Sequence, residues 1–467
     1  MLPGEDVLMA GQKVVQAIGP SYFLGEVKAA VQRSVNCFPQ RLEGDSWMMS
    51  SAPGEVTIAS LGAEIRGSRD VEGRWFIVSG STLYEMTAAG TSTARGTLGT
   101  SAGFVGMAHN QSQLVLVDGP NLYVFTLATN TLMQITSAGW RGSDDVHELD
   151  GYMVFVDPDT DQFYLSAIDD ASALDALDFS SADSAPDNII THRVSHRQLW
   201  LFGSHSAEIW INSGDPTFPF VRYQSYTLDV GIIGKRAAIN AADTLFWIGQ
   251  TSQGRGLVYM AAGNQPQRIS TTAVEQALAG STDLSAATMW AYQVEGHEFI
   301  AINAPGLSTT WVYDAATQMW HERGEWSASW QQLRSRLNVA YAGAIYAGDA
   351  FGAVVRLDTS VNTLSGRTLA RERTWPHMAS PSLEPVTFRG LELSARTGTG
   401  SGQITLQISN DGGSTWGPPL LRYLGAVGRV MQRIRWLGLG TSFMRVFRIR
   451  CTDDVPFAIY SATVDTQ

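Results

Sequence analysis

Four groups of side chains have the types and spacing for chemistry. Asp157, Asp159 and Asp161, in the run DPDTD, space alternate carboxylates as the first half of a calcium loop does around a hard cation. The glycine and closing glutamate of such a loop are missing, so the run reads as a solvated hairpin turn. His192 and His196 (HRVSH), with His205 beyond, have the spacing of a zinc-binding pair on a helix. They precede the apolar run LWLFG, which points to a strand, where residues four apart share a face but lie about 13 Å from each other. These are polar strand or loop histidines, and no metal ligand is assigned. Residues 409–416 read SNDGGSTW and fit the Asp-box pattern S-x-D-x-G-x-T-W. In that pattern Ser409, Asp411 and Gly413 hold a tight hairpin turn and Trp416 packs against the adjoining strand, a structural role. Finally, Arg433, Arg435, Arg445, Arg448 and Arg450, with Arg429 before them, alternate with apolar residues. On strands, many of these groups would stand on one sheet face, a basic stripe able to meet an acidic partner surface or DNA phosphate. Plain surface solubility is the competing role. The motifs GxxxxGK[ST], HExxH and strand-linked GxGxxG are absent, so no catalytic residue and no cofactor site is assigned.

Positioning any of these groups requires strands, and the chain is rich in them. A short apolar strand, followed after a turn by a second one rich in Tyr, Trp or Phe, recurs along the chain. The first members are WFIVSG (75–80), LVLVDG (114–119), YMVFVD (152–157), LWLFGS (199–204), LFWIGQ (245–250), FIAIN (299–303) and a fainter AYAGAIYAGD (340–349). Their partners are LYEMT (83–87), LYVFT (122–126), QFYLS (162–166), AEIWIN (207–212), LVYMA (257–261), TWVYD (310–314) and AVVRLD (353–358). The doublets begin 38 to 54 residues apart, the repeat of a propeller blade. A lone two-stranded ribbon is marginal, whereas blades of four strands stacked in a ring bury both faces and leave only short edges. A row of separate sandwiches would need linkers, and no Pro/Ser-rich or highly charged stretch interrupts residues 70–360. Helix is scarce, with TAVEQALA (272–279) the candidate.

The expected fold is therefore all-β: a six- or seven-bladed β-propeller with an irregular N-terminal arm and a C-terminal β-sandwich-like domain. The propeller is placed at 61–366. The arm, 1–60, closes the ring or reaches a neighbour as an interface segment. An Arg- and Pro-rich linker, 367–385, leads to a C-terminal domain over 386–467 with strands at 386–393, 403–409, 431–436, 443–450 and 457–464. Composition agrees. In 467 residues there are 46 glycines, 14 Trp, 14 Tyr and 18 Phe, and only 16% of residues are charged. Such a chain suits aromatic strands and tight turns, and is neither disordered nor a coiled coil.

The net charge of −12 repels nucleic acid wherever the acidic surface faces it. It is unevenly spread: 12 arginines against 7 acids from Val361 onward give +5, leaving 20 bases against 37 acids, −17, for residues 1–360. Only Lys13, Lys28 and Lys235 are lysines, and arginine is the cation suited to buried and interfacial pairs. The acids Asp169, Asp170, Asp175, Asp178, Asp183 and Asp187 read as a solvated or subunit-facing surface. Cys37 and Cys451 stand alone at opposite ends of the chain and predict neither a disulfide nor a zinc site. The opening residues lack the pattern of a secretory signal, and no apolar stretch approaches the roughly 18 residues that cross a bilayer. The expectation is a soluble chain made in a reducing cytoplasm.

RSVNCFPQ (33–40), IRGSRDVEGRWFIVSGSTLYEM (65–86), FYLSAIDDASALDALDFSSADSAPDNII (163–190) and RQLWLFGSHSAEIWINSGDPTFPF (197–220) resemble the packaged-DNA stabilisation proteins of short-tailed phages. These are tail hub or nozzle proteins that complete the head. The similarity covers about residues 20–350, is most specific from Phe202 to Phe220, and is weaker over the last hundred residues. The resemblance implies a virion tail protein, assembled in the host cytoplasm. It would add as a ring of copies, a hexamer by analogy, below the portal and adaptor proteins. There it would close the DNA exit channel after packaging and seat the tailspikes and tail needle. DNA would pass without sequence-specific binding, and the chain would not insert into a membrane. The resemblance also implies no enzymatic activity and no cofactor. Two other readings stay open. Abundant Trp and Tyr would suit a carbohydrate-binding tail component if tryptophans line one exposed face. The Asp-box also recurs in sialidase propellers, but such a glycosidase needs paired carboxylates, a tyrosine and an arginine cluster on inner strands. Here there is one box, outside the repeats.

Overall fold

The computed structural model describes residues 11–15, 17–24, 31–251, 254–380, 384–396, 402–425, 428 and 431–467. Arg429, Lys28 and most of the opening segment weighed as a secretory signal lie outside the described residues.

Seven antiparallel blades succeed one another along the chain. Their innermost strands are Ile65–Val71, Gly106–His109, His147–Leu149, Thr191–Ser195, Ala238–Ala241, Thr288–Val294 and Arg336–Tyr341. Each touches the next and the seventh touches the first, so the wheel is closed. The doublets are the second and third strands of each blade. A neighbouring blade covers each of their faces, so in Gln198–Phe202 every residue but Gln198 is buried. Burial on both sides explains why these strands appear as continuous apolar runs. The faint seventh doublet is resolved differently: AYAGAIYAGD straddles the hairpin between Arg336–Tyr341 and Ala344–Gly348, turning at Ala342 and Gly343.

Six blades join their first two strands through a two-residue turn with both φ angles positive. These turns are Glu72–Gly73, Asp150–Gly151, His196–Arg197, Ala242–Asp243, Glu295–Gly296 and Ala342–Gly343. Paired positive φ angles match the twist of the flanking strands. The one α-helix among the described residues is Thr272–Ala279, held to the wheel by Ala273, Val274 and Leu278. No described helix is long and apolar enough to cross a membrane.

The arm divides between two tasks. Gly54–Ser60 is the outer strand of blade seven, antiparallel to Ala353–Asp358. Upstream of it, Gly11–Val15 pairs with Ala458–Thr466, and Cys37–Arg41 and Trp47–Ser51 extend the same sheet, which continues through Val386–Arg396 to Met431–Ser442. The opposing layer contains Arg371–Thr374, Met444–Cys451, Gln403–Ser409 and Leu420–Tyr423. Between the layers lie Trp375, Phe388, Leu406, Trp436, Phe447 and both cysteines. The cysteines are unbonded. The 367–385 segment is not a free connection, because Arg371–Thr374 is an internal strand whose Arg371, Glu372 and Arg373 are buried. Its arginines and prolines suggested solvent; in the fold, backbone carbonyls and a carboxylate take up the arginines' charge.

Candidate functional site

Wheel and sandwich meet at a seam of two strands. Val31–Val35 runs parallel to Met319–Arg323, the outer strand of blade six, and antiparallel to Arg371–Thr374, which pairs in turn with Met444–Cys451. One eleven-stranded sheet thus passes from blade six into the sandwich. Across it, Arg33 Nε donates to Glu322 Oε1 at 3.0 Å, Thr309 Oγ1 donates to Glu322 Oε2 at 2.6 Å, and Arg450 Nε donates to Glu372 Oε2 at 2.9 Å. Among the described residues Arg373 has no carboxylate partner. It donates to the carbonyls of Ala17, Gly19 and Pro20 at 3.1 Å and to Ser34 Oγ at 2.8 Å, and burial pushes its pKa down to about 10.

Asn36 fastens the seam at its end. It is fully buried with φ 53°, a left-handed conformation that asparagine tolerates better than most residues. Its Nδ2 donates to Gly324 O at 2.7 Å and Ala370 O at 2.8 Å, and its Oδ1 accepts from the Gly324 N–H at 3.1 Å. Next to it, burial pushes the Cys37 thiol up to about 12, so at neutral pH it is protonated and a poor nucleophile. The arrangement ties the two domains together through hydrogen-bonded strands and buried side-chain bonds.

The sequence-predicted residues fall in separate places. Asp411 accepts from Ser409 Oγ at 2.6 Å and from the Thr415 N–H at 2.9 Å, while the Gly413 N–H donates to Ser409 Oγ at 2.8 Å. The Ser409 and Thr415 bonds hold the Asp411 carboxyl well below the usual range. Gly413 takes φ 90° and faces the side chain of Val31, so the turn abuts the seam. Trp416 lies 3.8 Å from the Arg448 guanidinium.

The arginine stripe does not form one face. Arg433 and Arg435 are exposed and each bonds Glu392 at 2.6 Å. Arg445 is buried, donating to Leu439 O at 2.6 Å and Asn410 Oδ1 at 3.0 Å. Arg448 and Arg450 stack on Trp416 and Trp326 at 3.8 Å. The two-residue period of the strand sends Arg445 to the opposite face from Arg448 and Arg450.

His192 is buried with Nε2 at 3.0 Å from Val154 O, His196 stands in a hairpin turn, and His205 Nδ1 lies 2.7 Å from Ser204 Oγ. Asp157 pairs with Arg141 at 3.5 Å and Asp159 turns with φ 61°. Among the described residues no three His, Cys, Asp or Glu side chains converge as a metal site. Residues 99–103 read GTSAG, which has the G-x-S-x-G spacing of a nucleophile elbow. They form a loop with no helix behind it, where the Thr100 and Gly103 carbonyls accept from Arg66.

At the axis, the inner strands enclose a cavity of about 430 Å³ lined by five arginines with Glu64 and Asp145. Arg336 holds Glu64 at 2.6 Å and Arg193 holds Asp145 at 3.0 Å. No tyrosine lines this cavity, so the set the sialidase reading requires is not assembled there. Of the fourteen tryptophans nine are buried and five half-buried. The exposed row that the carbohydrate reading requires is missing, because the buried indoles fill the spaces between blades and between the sandwich layers.

Comparison with known families follows the same division. Residues 33–360 match the model described as bacteriophage P22 Gp10, beta-propeller, and residues 372–467 match bacteriophage P22 Gp10, beta-sandwich. The chain belongs to the bacteriophage P22 Gp10 family. Gp10 is the packaged-DNA stabilisation or tail hub protein of short-tailed phages, so this chain is a structural protein of the phage tail. No curated protein matches this Gp10-family chain. Similar solved structures include the computationally designed Ika8 protein, at 11% identity and TM-score 0.38, covering 65% of this chain and 99% of that one. The WD40 propeller domain of Doa1 shares 11% identity with TM-score 0.41, covering 65% and 96%. The extracellular domain of the putative one-component system BT4673 of B. thetaiotaomicron shares 10% with TM-score 0.43, covering 86% and 57%.

In this Gp10-family sandwich, Leu420–Tyr423 and Met431–Ser442 are each the last strand of their sheet. Leu420, Leu421, Tyr423, Met431, Leu437 and the adjoining Phe443 are between 38% and 71% exposed. The two edges are tied to each other by Trp436 Nε1, which donates to Leu420 O, and Arg422 Nε, which donates to Arg435 O, both at 2.8 Å, and their outward apolar side chains form an exposed border of the kind that natural proteins cover with a partner.

Proposed function

We propose that this Gp10-family protein assembles as a ring of copies, a hexamer, below the portal and adaptor proteins. It closes the DNA exit channel after packaging and seats the tailspikes and tail needle, without chemistry of its own. The observation that carries this reading is the continuous sheet from blade six into the sandwich. Packaged DNA pushes outward, and a load entering one domain reaches the other through hydrogen-bonded strands instead of a flexible tether.

Ring formation calls for a heterologous interface that closes on itself. The apolar border of Leu420–Tyr423 and Met431–Ser442 supplies one side of it, and Arg433 and Arg435, exposed beside it, meet acidic partner groups or phosphate. The −17 carried by residues 1–360 gives exiting DNA little to hold. Two buried free thiols are in keeping with assembly in the reducing host cytoplasm.

Particles built without this chain should fill with DNA and then lose it, and particles that keep their DNA would refute the role. The border is tested by a Tyr423→Glu/Leu437→Arg variant. It should melt as the wild type does yet fail to form rings in sedimentation velocity; rings of normal size would rule the border out as the contact.

A further inference from the structure

The axis of the wheel carries charge that the structural role leaves unused. We infer that the axial cavity is a binding site for a small oxyanion of the phosphate or polycarboxylate class. All seven inner strands contribute to its wall, which includes Arg66, Arg69, Arg193, Arg236 and Arg336. Arg66 is fully engaged by Asp118 at 2.6 Å and by backbone carbonyls. Beside the remaining four guanidinium groups the wall carries two carboxylates, Glu64 and Asp145, with Glu148 acting on Arg69 from outside it. A net positive charge, centred on Arg236, therefore stands at the axis of a body that is otherwise strongly acidic.

Arg236 is the focus. Among the described residues its side chain has no hydrogen bond and no ion pair, and its guanidinium lies 3.9 Å from the centre of the Phe104 ring, another wall residue. Burial pushes its pKa down to about 10, which leaves it charged at neutral pH and short of an anion. Stacking on an aromatic face leaves the N–H edges of the fork free, the geometry that takes a carboxylate or phosphate through two parallel bonds. Arg69 makes no direct ion pair among the described residues: it donates to His109 Nδ1 at 3.0 Å and Met107 O at 2.8 Å, and Asp145 and Glu148 act on it without contact.

The backbone supports the same reading independently. The strand Arg336–Tyr341 breaks register between Arg336 and Val339, and Leu337 sits at φ 56°. A left-handed leucine is uncommon and costs energy, and such strain with a bulge clusters where a side chain must be re-aimed. Here it separates two wall residues, Arg336 and Asn338, and the Asn338 amide oxygen has no partner. A 180° turn of that amide presents its NH₂ to a ligand instead. The volume is within the range of sites for small molecules.

The test is equilibrium dialysis of the intact protein against labelled inorganic phosphate and against citrate, at constant ionic strength. One saturable site per chain is expected. Arg236→Gln should weaken binding about tenfold or more, the loss of a charge-assisted pair, and Arg268→Gln, exposed on the outer strand of blade five, should leave it unchanged. Arg336→Gln serves as the second variant, and thermal melts establish that each variant is folded. Saturable binding of either anion, weakened by a folded axial variant, upholds the site. The inference is overturned if neither anion binds at about 10 mM, or if binding is unaltered in the axial variants that fold.

Discussion

His321 is buried where blade six meets the Cys37–Arg41 strand, with ring centres 5.8 Å from Phe38 and 5.3 Å from Phe299. Among the described residues neither ring nitrogen has a hydrogen-bond partner. Burial pushes its pKa from 6.5 down to about 3, with Asp314 pulling the other way and Arg323 and His297 adding to the depression. An unfolded chain carries an ordinary histidine. Between pH 6.5 and 3 the unfolded state therefore takes up a proton that the native state refuses. The stability tied to this group is complete above pH 6.5 and falls as the pH drops, by about 1.4 kcal/mol per unit. At pH 4.5, two units below the unfolded value, the loss is about 3 kcal/mol. A His321→Leu variant keeps a similar volume, removes two unsatisfied nitrogens and has no proton to take up. Urea unfolding of variant and wild type from pH 7.5 to 4.5 isolates the effect. His147 and His192, also buried and depressed, cancel in the difference. The variant should gain about 3 kcal/mol on the wild type across this range, and a difference that does not change with pH would refute the reasoning.

Asn36→Ala strands the Gly324 N–H and the carbonyls of Gly324 and Ala370, and should cost about 3–5 kcal/mol at the rate of 1–3 per buried unpaired group, read by calorimetry. Gly54→Ala places a Cβ 2.3 Å from Val361 O and 2.6 Å from Thr363 O. The closing strand should then yield to limited proteolysis at residues 54–60 well before the wild type does, and equal cleavage rates would count against its fit. Asp118→Ala removes the counter-ion of buried Arg66 and should cost about 3–5 kcal/mol. An Arg66→Met/Asp118→Leu double variant should recover most of that in a double-mutant cycle.

The sequence made the middle strands of each blade legible and hid the rest. Runs such as LVLVDG are apolar because a blade covers each side. The inner strands, IRGSRDV, THRVS and RLNVAY among them, face a polar axis, and outer strands such as Ser92–Thr97 face solvent, so neither shows a clean period. The paired positive-φ turns were present as Glu-Gly and Asp-Gly steps but also as His196–Arg197 and Ala242–Asp243, which carry no turn signature. The seam was hidden because its pairings join residues about three hundred positions apart, as Ser34 to Arg373. Nothing local marks Asn36, in RSVNCF, as a buried left-handed fastener. The five arginines of the axis are scattered over four blades, and only ring closure gathers them.

Residues 31–60 are shared between both halves of the molecule, and this sets a schedule for biosynthesis. Gly54–Ser60 must wait for Ala353–Asp358, and Val31–Val35 for Arg371–Thr374. Early-made segments therefore stay unmatched until residues about three hundred positions downstream have been made, a pattern of long-range pairing that slows folding. A prematurely terminated product has a gapped wheel and bare sheet margins, which chaperones and proteases engage.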